Sequence, residues 1–237
     1  MRTRPEQLTT QPIKMLAPIY LLTGDEPLQL CEAGDAIRAA ARAQGYTERE
    51  VFDVEGGFDW ESLLMSANSL SLFSTRRLLE LRLRNPKLGK EGGAALVEYA
   101  KRPPEDTVLL ITAPKFEKEQ QKSAWFGALE DAGTIVESWP VDEKRLPAWI
   151  EQRMRARNMQ PTRDAVQLLA ERIEGHLLAA AQEIDKLSLL VGSGPVTAEQ
   201  VAESVVNVNE KLDRTRQELK IEIQETRQGI LGQCRST

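Results

Sequence analysis

The chain has 237 residues, enough for one large domain or, as we expect, two smaller ones. Hydrophobic residues make up 41% and charged residues 28%, a composition that is ordinary for a globular protein and excludes wholesale disorder. Lys and Arg number 31 against 36 Asp and Glu, for a net charge of -5, so the chain as a whole offers no cationic surplus for strong binding to DNA.

The sequence carries no signal for export, membrane insertion or a metal site. No apolar run approaches the roughly 18 residues that cross a bilayer, and the start "MRTRPEQLTT" has no apolar core after its arginines. Cys31 and Cys234 offer no CxxC spacing, and His176 is the one histidine. We therefore expect a soluble, cytoplasmic protein with no membrane partner, no cofactor and no His-dependent catalysis.

The first elements alternate between strand and helix patterns. "IYLLTG" (Ile19–Gly24) is a continuous apolar run that predicts a buried strand. Asp25 is the expected N-cap of the following helix, which has Pro27 in its first turn and Gly45 at its end. "VFDV" predicts a second strand, and Asp59 is expected to cap a short helix after it.

The stretch "NSLSLFSTRRLLELRL" joins that helix to a third strand. From Arg77 on, apolar and charged residues alternate, which predicts a half-buried strand. Leu70, Leu72 and Phe73 instead stand among small polar residues, where a loop is normally solvated. Either these side chains pack under the sheet as core, or they are held exposed as anchors for a pocket on another molecule.

Two further strands and two helices complete the first domain. "TVLLITA" (Thr107–Ala113) is the most apolar strand and is expected at the centre, and "TIVESW" (Thr134–Trp139) is the fifth strand. Helices are predicted at Ala94–Ala100 and Glu117–Ala132. Strands that alternate with helices predict an α/β fold, here a mostly parallel five-stranded sheet covered on both faces.

After Pro140 the strand patterns stop. Helices are predicted at Glu143–Asn158, Thr162–Ile173 and Leu177–Val191, with another from Thr197, and they indicate an all-helical domain over residues 141–208 that follows a first domain of residues 1–140. Residues 209–237 form a charged tail in which Leu212, Leu219, Ile223 and Ile230 have heptad-like spacing. A solvated amphipathic helix and a dimerising or partner-binding helix both fit that tail.

The first turn of the sheet stands where a phosphate-binding loop would be. Such a loop needs glycines, a Lys and a Ser or Thr. "TGDEPLQL" has one glycine, no Lys, and two carboxylates, Asp25 and Glu26, which repel a polyphosphate. "GKEGG" has a Gly-Lys pair but has Glu91 in place of the Ser or Thr. The sequence therefore predicts an NTPase-like frame without a working nucleotide site.

Other candidate chemistry is equally sparse. His176, Glu183 and Lys186 fall near one helical face, which is more typical of a surface or capping arrangement than of a metal site. No Ser, Cys or Thr stands in a nucleophile-elbow context. A basic group on the first helix of the second domain is either a DNA contact or simply a solvated face; it comprises Arg145, Arg153, Arg155 and Arg157.

Several motifs, in order, resemble the delta subunit of bacterial DNA polymerase III, the clamp-loader subunit that opens the sliding clamp. They are "YLLTGDEPLQLCEAGDAIRAAA", "FDW", "SLSLFSTRRLLELRL", "AWFGAL" and "EGHLLAAAQEIDKLSLL", and the resemblance runs from about Met15 to Val206. It implies an AAA+-like sheet domain with a degenerate nucleotide site, followed by a helical lid domain. It also implies a role in DNA replication as a non-catalytic subunit of the DNA-directed DNA polymerase holoenzyme, a nucleotidyltransferase complex.

The resemblance also implies how a partner is bound. Members of this family insert a short apolar element into a hydrophobic pocket of the clamp, the beta subunit. Carried onto this sequence, the element is Leu70, Ser71, Leu72 and Phe73, hereafter the apolar tip, with Leu72 and Phe73 as the wedge. The other implied partners are the remaining clamp-loader subunits, with DNA contacted only indirectly or weakly.

The sequence departs from the family pattern after "AESVVNV". Family members continue into a third, all-helical collar domain, whereas here the charged tail follows. We therefore expect this chain to grip the clamp but to join the loader weakly or not at all. Two alternative functions stay open at this stage: an AAA+-type ATPase with an atypical phosphate loop, and a coiled-coil adapter that dimerises through its tail.

Overall fold

The computed structural model describes residues 1–68, 76–173 and 175–204, and the chain divides into two compact units between Pro140 and Val141. The strands of the first unit are β1 (Arg2–Thr3), β2 (Ile19–Gly24), β3 (Glu48–Val54), β4 (Arg77–Leu83), β5 (Thr107–Ala113) and β6 (Thr134–Ser138). Its helices are α1 (Pro5–Thr9), α2 (Pro27–Ala43), α3 (Trp60–Asn68), α4 (Gly89–Lys101), α5 (Lys118–Gln121) and α6 (Ala124–Ala132).

The strands of the first unit form one parallel sheet in the order β1-β6-β2-β5-β4-β3. The predicted α/β class and all five predicted strands are therefore confirmed. The sheet nevertheless has six strands, because β1 pairs with β6 in the register Arg2↔Ile135. The Ile135 N–H donates to the Met1 oxygen at 2.8 Å, and the Arg2 guanidinium binds the Glu130 carboxylate of α6 at 2.6 Å. Both interactions join residues that are distant in sequence, so no local pattern indicates them.

Helices cover both faces of the sheet. On one face α3, α4 and α6 pack over β-strand leucines, with Leu63, Leu96 and Phe126 fully buried. On the other face α2 contributes Ala33, Ile37 and Ala41. Burial on both faces explains why β2 and β5, in the middle of the sheet, are continuous apolar runs.

The prediction that β4 is half-buried is wrong. Its charged residues Arg77 and Glu80 are 6% and 1% exposed, because β3 and β5 flank the strand and helices cover both of its faces. Burial of Glu80 is tolerated because Arg38 and Arg49 both bind its carboxylate. The third charged residue of the strand, Arg82, is exposed, so the alternating pattern marked a strand in which two of three charged side chains are buried and bonded inside the protein.

Two helix predictions also need correction. The helix expected over Glu117–Ala132 is broken into α5 and α6, and Glu117 forms a capping box at the start of α5. Helix α4 begins at Gly89, earlier than expected, so the "GKEGG" stretch is helical. Gly92 lies against the ring of Trp60 so closely that a Cβ there would come within 2.5 Å of it. This glycine therefore serves helix packing, and its stretch lies outside any loop that would hold phosphate.

The second unit contains α7 (Leu146–Arg155), β7 (Met159–Pro161), α8 (Arg163–Ile173), α9 (Leu177–Val191) and β8 (Gly194–Val196), and residues 198–204 are helical. The expected all-helical composition is wrong, because β7 and β8 form a small parallel sheet in the register Met159↔Gly194. Two strands of three residues each are too short to show a period-two pattern. The tail at 209–237 lies outside the described residues.

None of the helices in the described part of the chain is long and apolar enough to cross a bilayer.

Candidate functional site

The apolar tip falls between α3 and β4. Its residues, Leu70, Ser71, Leu72 and Phe73, lie outside the described residues, so their exposure stays a prediction. Both flanks are described: α3 ends at Asn68 on one side, and Arg76 leads into β4 on the other. The geometry of these flanks defines the base from which the tip departs.

The end of α3 is held against the sheet by side chains and by packing. Leu63 and Ala67 are buried in the core on this face. Ser66 Oγ donates a hydrogen bond to Glu50 Oε2 of β3 at 2.5 Å. Arg77 of β4 donates from its guanidinium to the backbone oxygens of Ser66 and Ala67. The last turn of α3 is therefore fastened to two neighbouring strands.

The other flank is anchored through Arg76. Its Nη1 donates to the backbone oxygen of Gln44 at 2.7 Å, and its guanidinium carbon lies 5.4 Å from the centre of the Tyr46 ring. Both contacts are with the turn that follows α2. The two consecutive arginines thus hold the start of β4 to two different helix ends.

The neighbourhood of the tip also includes an exposed apolar side chain. Met65, on the outer face of α3, is 72% exposed. A thioether side chain adapts its shape to a partner surface more readily than a branched one. This residue was not singled out from the sequence, because one apolar residue at a helix surface is common in any soluble protein.

The turn after β2 is closed by the chain's own contacts. Gly24 has φ of +144°, and a Cβ there would lie 2.0 Å from the backbone oxygen of Ser138. The N-cap of α2 is Glu26, whose carboxylate accepts from the Leu28 N–H; the prediction that Asp25 is the cap is wrong. The Asp25 carboxylate instead pairs with Lys115 at the end of β5.

This arrangement fits a nucleotide phosphate poorly. The acidic Glu26 occupies the start of α2, where the helix dipole would otherwise favour a phosphate. The nearby cation, Lys115, is already bonded to Asp25, which raises the pKa of Lys115, and it also lies 5.1 Å from the centre of the Trp139 ring. A phosphate here would have to displace these contacts and face two carboxylates.

A second concave surface lies at the carboxyl ends of β3 and β4. It is an open cleft of about 610 Å³ whose lining includes Phe58, Trp60, Arg84, Lys87 and Lys90. Arg84 pairs with Glu55 at 3.2 Å, and Glu91 adds a second carboxylate to the lining. The mixture of charges favours no particular class of ligand.

The residues singled out in the second unit have structural surroundings. His176 is the N-cap residue of α9, while Glu183 and Lys186 form an ion pair at 3.3 Å that also contacts Ser204. His176 therefore lies at the start of α9 and takes no part in this ion pair. In the described part of the chain no cluster of three or more His, Cys, Asp or Glu residues is arranged to hold a metal ion.

The basic group of α7 is largely engaged within its own unit. Arg155 pairs with Glu151 at 2.5 Å, Arg157 pairs with Asp185, and the guanidinium of Arg153 lies 5.0 Å from the centre of the Trp149 ring. The carboxylates offset the charges of Arg155 and Arg157, whereas the aromatic ring leaves the charge of Arg153 in place. The two ion pairs therefore favour the solvated-face interpretation for Arg155 and Arg157.

The class of protein follows from this fold: a parallel α/β domain with a closed turn in place of the phosphate-binding loop. The fold is also that of the Bacillus subtilis DNA clamp loader delta protein, with a TM-score of 0.65 at 22% identity over 90% of this chain and 68% of that one. The predicted α/β fold class is therefore confirmed.

Sequence comparison identifies the family. The family model for the DNA polymerase III delta subunit matches residues 20–138, and this chain belongs to that family. The DNA polymerase III subunit delta of Escherichia coli (strain K12) is 34% identical over 207 residues, which cover 86% of this chain and 60% of that protein. The Haemophilus influenzae subunit delta is 31% identical over 194 residues, covering 80% of this chain and 56% of that protein.

Proposed function

We propose that this chain is a clamp-binding subunit that grips and opens the sliding clamp during DNA replication in the cytoplasm. The observation that carries the proposal is the family match over residues 20–138, since the apolar tip falls inside it. Relatives named as subunit delta and a similar fold named as a clamp loader delta protein support the same role. The chain spans about 60% of the length of the E. coli relative, so the activity is assigned to the tip and its base.

The energetics of such a tip suit its role. Burying a Leu or a Phe side chain contributes roughly 1.5–3 kcal/mol, so Leu72 and Phe73 together would contribute roughly 3–6 kcal/mol. This is the size of a binding hot spot. A ligand shifts an equilibrium only by its difference in affinity between two states, so the tip opens the ring if the open form offers a better pocket.

We assign no ATP hydrolysis to this chain. The support is the closed turn after β2, where Glu26 caps α2 and Lys115 is committed to Asp25. The motor for clamp loading would then belong to other subunits of the loader. Assembly with them is tested by gel filtration with the loader's motor and delta-prime subunits, where co-elution in stable stoichiometry would show that this chain joins the loader.

The central experiment compares clamp binding by the wild-type chain and by Leu72→Ala/Phe73→Ala, using a fluorescently labelled clamp. Loss of the two side chains is expected to weaken binding by at least about a hundredfold. The matched control is Leu189→Ala/Leu190→Ala, which removes two exposed leucines (87% and 60% exposed) from α9 and is expected to bind as wild type does. Circular dichroism checks that all three chains are folded.

Two results would overturn the proposal. Equal clamp affinity in the wild type and in the tip variant would remove the apolar tip from the interface. Equal loss in the tip variant and in the α9 control would show that any exposed leucine pair contributes similarly, and hence that the binding is non-specific.

A further inference from the structure

Arg77 stands out as a buried arginine at the junction between the tip segment and β4. Its side chain is 6% exposed, and its guanidinium donates to the Ser66 and Ala67 backbone oxygens, the latter at 3.4 Å. These oxygens belong to the last described turn of α3. The arginine therefore ties the end of that helix to a different element of the fold.

The backbone of Arg77 is equally well placed. Its N–H donates to the Asp106 oxygen at 2.8 Å, and the residue is paired with Glu48 on one side and Thr107 on the other. The main chain of Arg77 is thus part of the sheet while its side chain holds α3. One residue consequently connects the two ends between which residues 69–75 run.

A second tie acts on the same helix turn. Ser66 donates from Oγ to Glu50 of β3 at 2.5 Å, while its backbone oxygen accepts from Arg77. Two strands therefore hold one turn of α3 from the same face of the sheet. Both ties add to the packing of the same helix through Leu63 and Ala67.

We propose that Arg77 is a positioning residue for clamp binding: it sets the separation and direction of the two ends of the segment that carries the apolar tip. The inference rests on the proposed function of that tip. The physical reason is that apparent affinity falls in proportion to the fraction of molecules whose binding element is correctly placed. Both carbonyl oxygens accept from Nη2, whose N–H directions are fixed by the plane of the guanidinium, whereas the three N–H groups of an ammonium rotate freely.

The test measures clamp affinity for Arg77→Met and Arg77→Lys at a temperature where every variant is folded. Arg77→Met is expected to weaken binding about tenfold through a smaller competent fraction, and Arg77→Lys to recover part of the loss. Arg84→Met, at an exposed residue just after the far end of β4, is expected to bind as wild type does.

A destabilised control variant distinguishes a positioning role of Arg77 from a purely structural one. Ile37→Ala removes a fully buried side chain of α2 from the opposite face of the sheet. It is expected to lower the melting temperature at least as much as Arg77→Met does, yet to leave clamp affinity within about twofold of wild type. Wild-type affinity in Arg77→Met, or an equal loss in Ile37→Ala, would overturn the proposal.

Synthetic peptides that span residues 66–78, with Arg or Met at position 77, distinguish direct contact between Arg77 and the clamp from a positioning role. In a free peptide the arginine has no helix to hold, so the two peptides are expected to compete equally for the clamp. A loss in the Met peptide as large as that in the whole chain would make Arg77 a contact residue and would overturn the positioning role. Failure of the proposed function is distinct, because it appears as unchanged affinity in Leu72→Ala/Phe73→Ala.

Discussion

Replacing Glu80 by Gln tests whether the buried ion cluster stabilises the sheet. Arg38 donates to both Glu80 oxygens at 2.8 and 3.2 Å, and Arg49 does so at 2.5 and 3.0 Å. Burial by itself raises the pKa of Glu80, but the hydrogen bonds and charges of the two arginines outweigh it and lower the pKa to about 2. The ionised form is therefore strongly favoured in the folded protein.

The magnitude follows from the pKa difference between the folded and unfolded chains. A fall from the ordinary value of 4.5 to about 2 corresponds to about 3 kcal/mol of the free energy of unfolding. Because the folded pKa is the lower one, this contribution is complete above the unfolded value of 4.5 and is lost as the pH falls towards 2. Glu80→Gln should lose about 3 kcal/mol at pH 7, and its difference from wild type should shrink between about pH 5 and pH 2.

The assay is urea unfolding of both chains at pH 7, 4 and 3, followed by tryptophan fluorescence and far-UV circular dichroism. Glu98→Gln is the matched control, since Glu98 pairs with Lys101 at 3.1 Å on the exposed surface of α4 and should cost less than about 1 kcal/mol. The reasoning is refuted if Glu80→Gln is no more destabilised at pH 7 than this control. It is also refuted if the difference between Glu80→Gln and wild type does not depend on pH.

The remaining predictions concern the turn after β2 and the start of α3. Gly24→Ala should destabilise the chain by about 3 kcal/mol or more, because φ is +144° and the new Cβ would lie 2.0 Å from a backbone oxygen. The control is Gly45→Ala, which has φ of +88° but open space around the new Cβ and should cost only about 1 kcal/mol. Equal melting temperatures for the two variants would contradict the close approach at Gly24. Asp59→Ala should cost about 1 kcal/mol, since Asp59 accepts from the Glu61 N–H at 3.0 Å. Faster amide exchange confined to α3 would support that prediction, and unchanged exchange would count against it.

Local patterns predicted the elements well where one physical signal dominated. The apolar runs of β2 and β5 marked strands buried on both faces, and Asp59 was correctly expected to cap α3. Patterns failed where distant residues decided the outcome. Strand β1 exists because it pairs with β6, more than a hundred residues away in sequence, and β7 and β8 are too short to carry a period.

In the candidate site, too, some residues were found from the sequence and others only from the structure. Sequence reasoning drew attention to Leu72 and Phe73 because large apolar side chains among small polar ones are unusual in a loop. It did not find Arg77, because a charged residue in an alternating strand is normally expected to face water. The partners of this arginine are backbone oxygens at the end of α3, and nothing in the local pattern indicates them.

The sequence by itself determined strands β2 to β6, the α/β class and the lack of a glycine-rich phosphate loop, because hydrophobic periodicity and residue chemistry are local properties. Only the tertiary structure decided which charges are buried, that Glu26 caps α2 in place of Asp25, and how Arg77 joins α3 to β4. These outcomes depend on which elements become neighbours in the sheet. The pairing of a buried charge is set by contacts between residues that are distant along the chain.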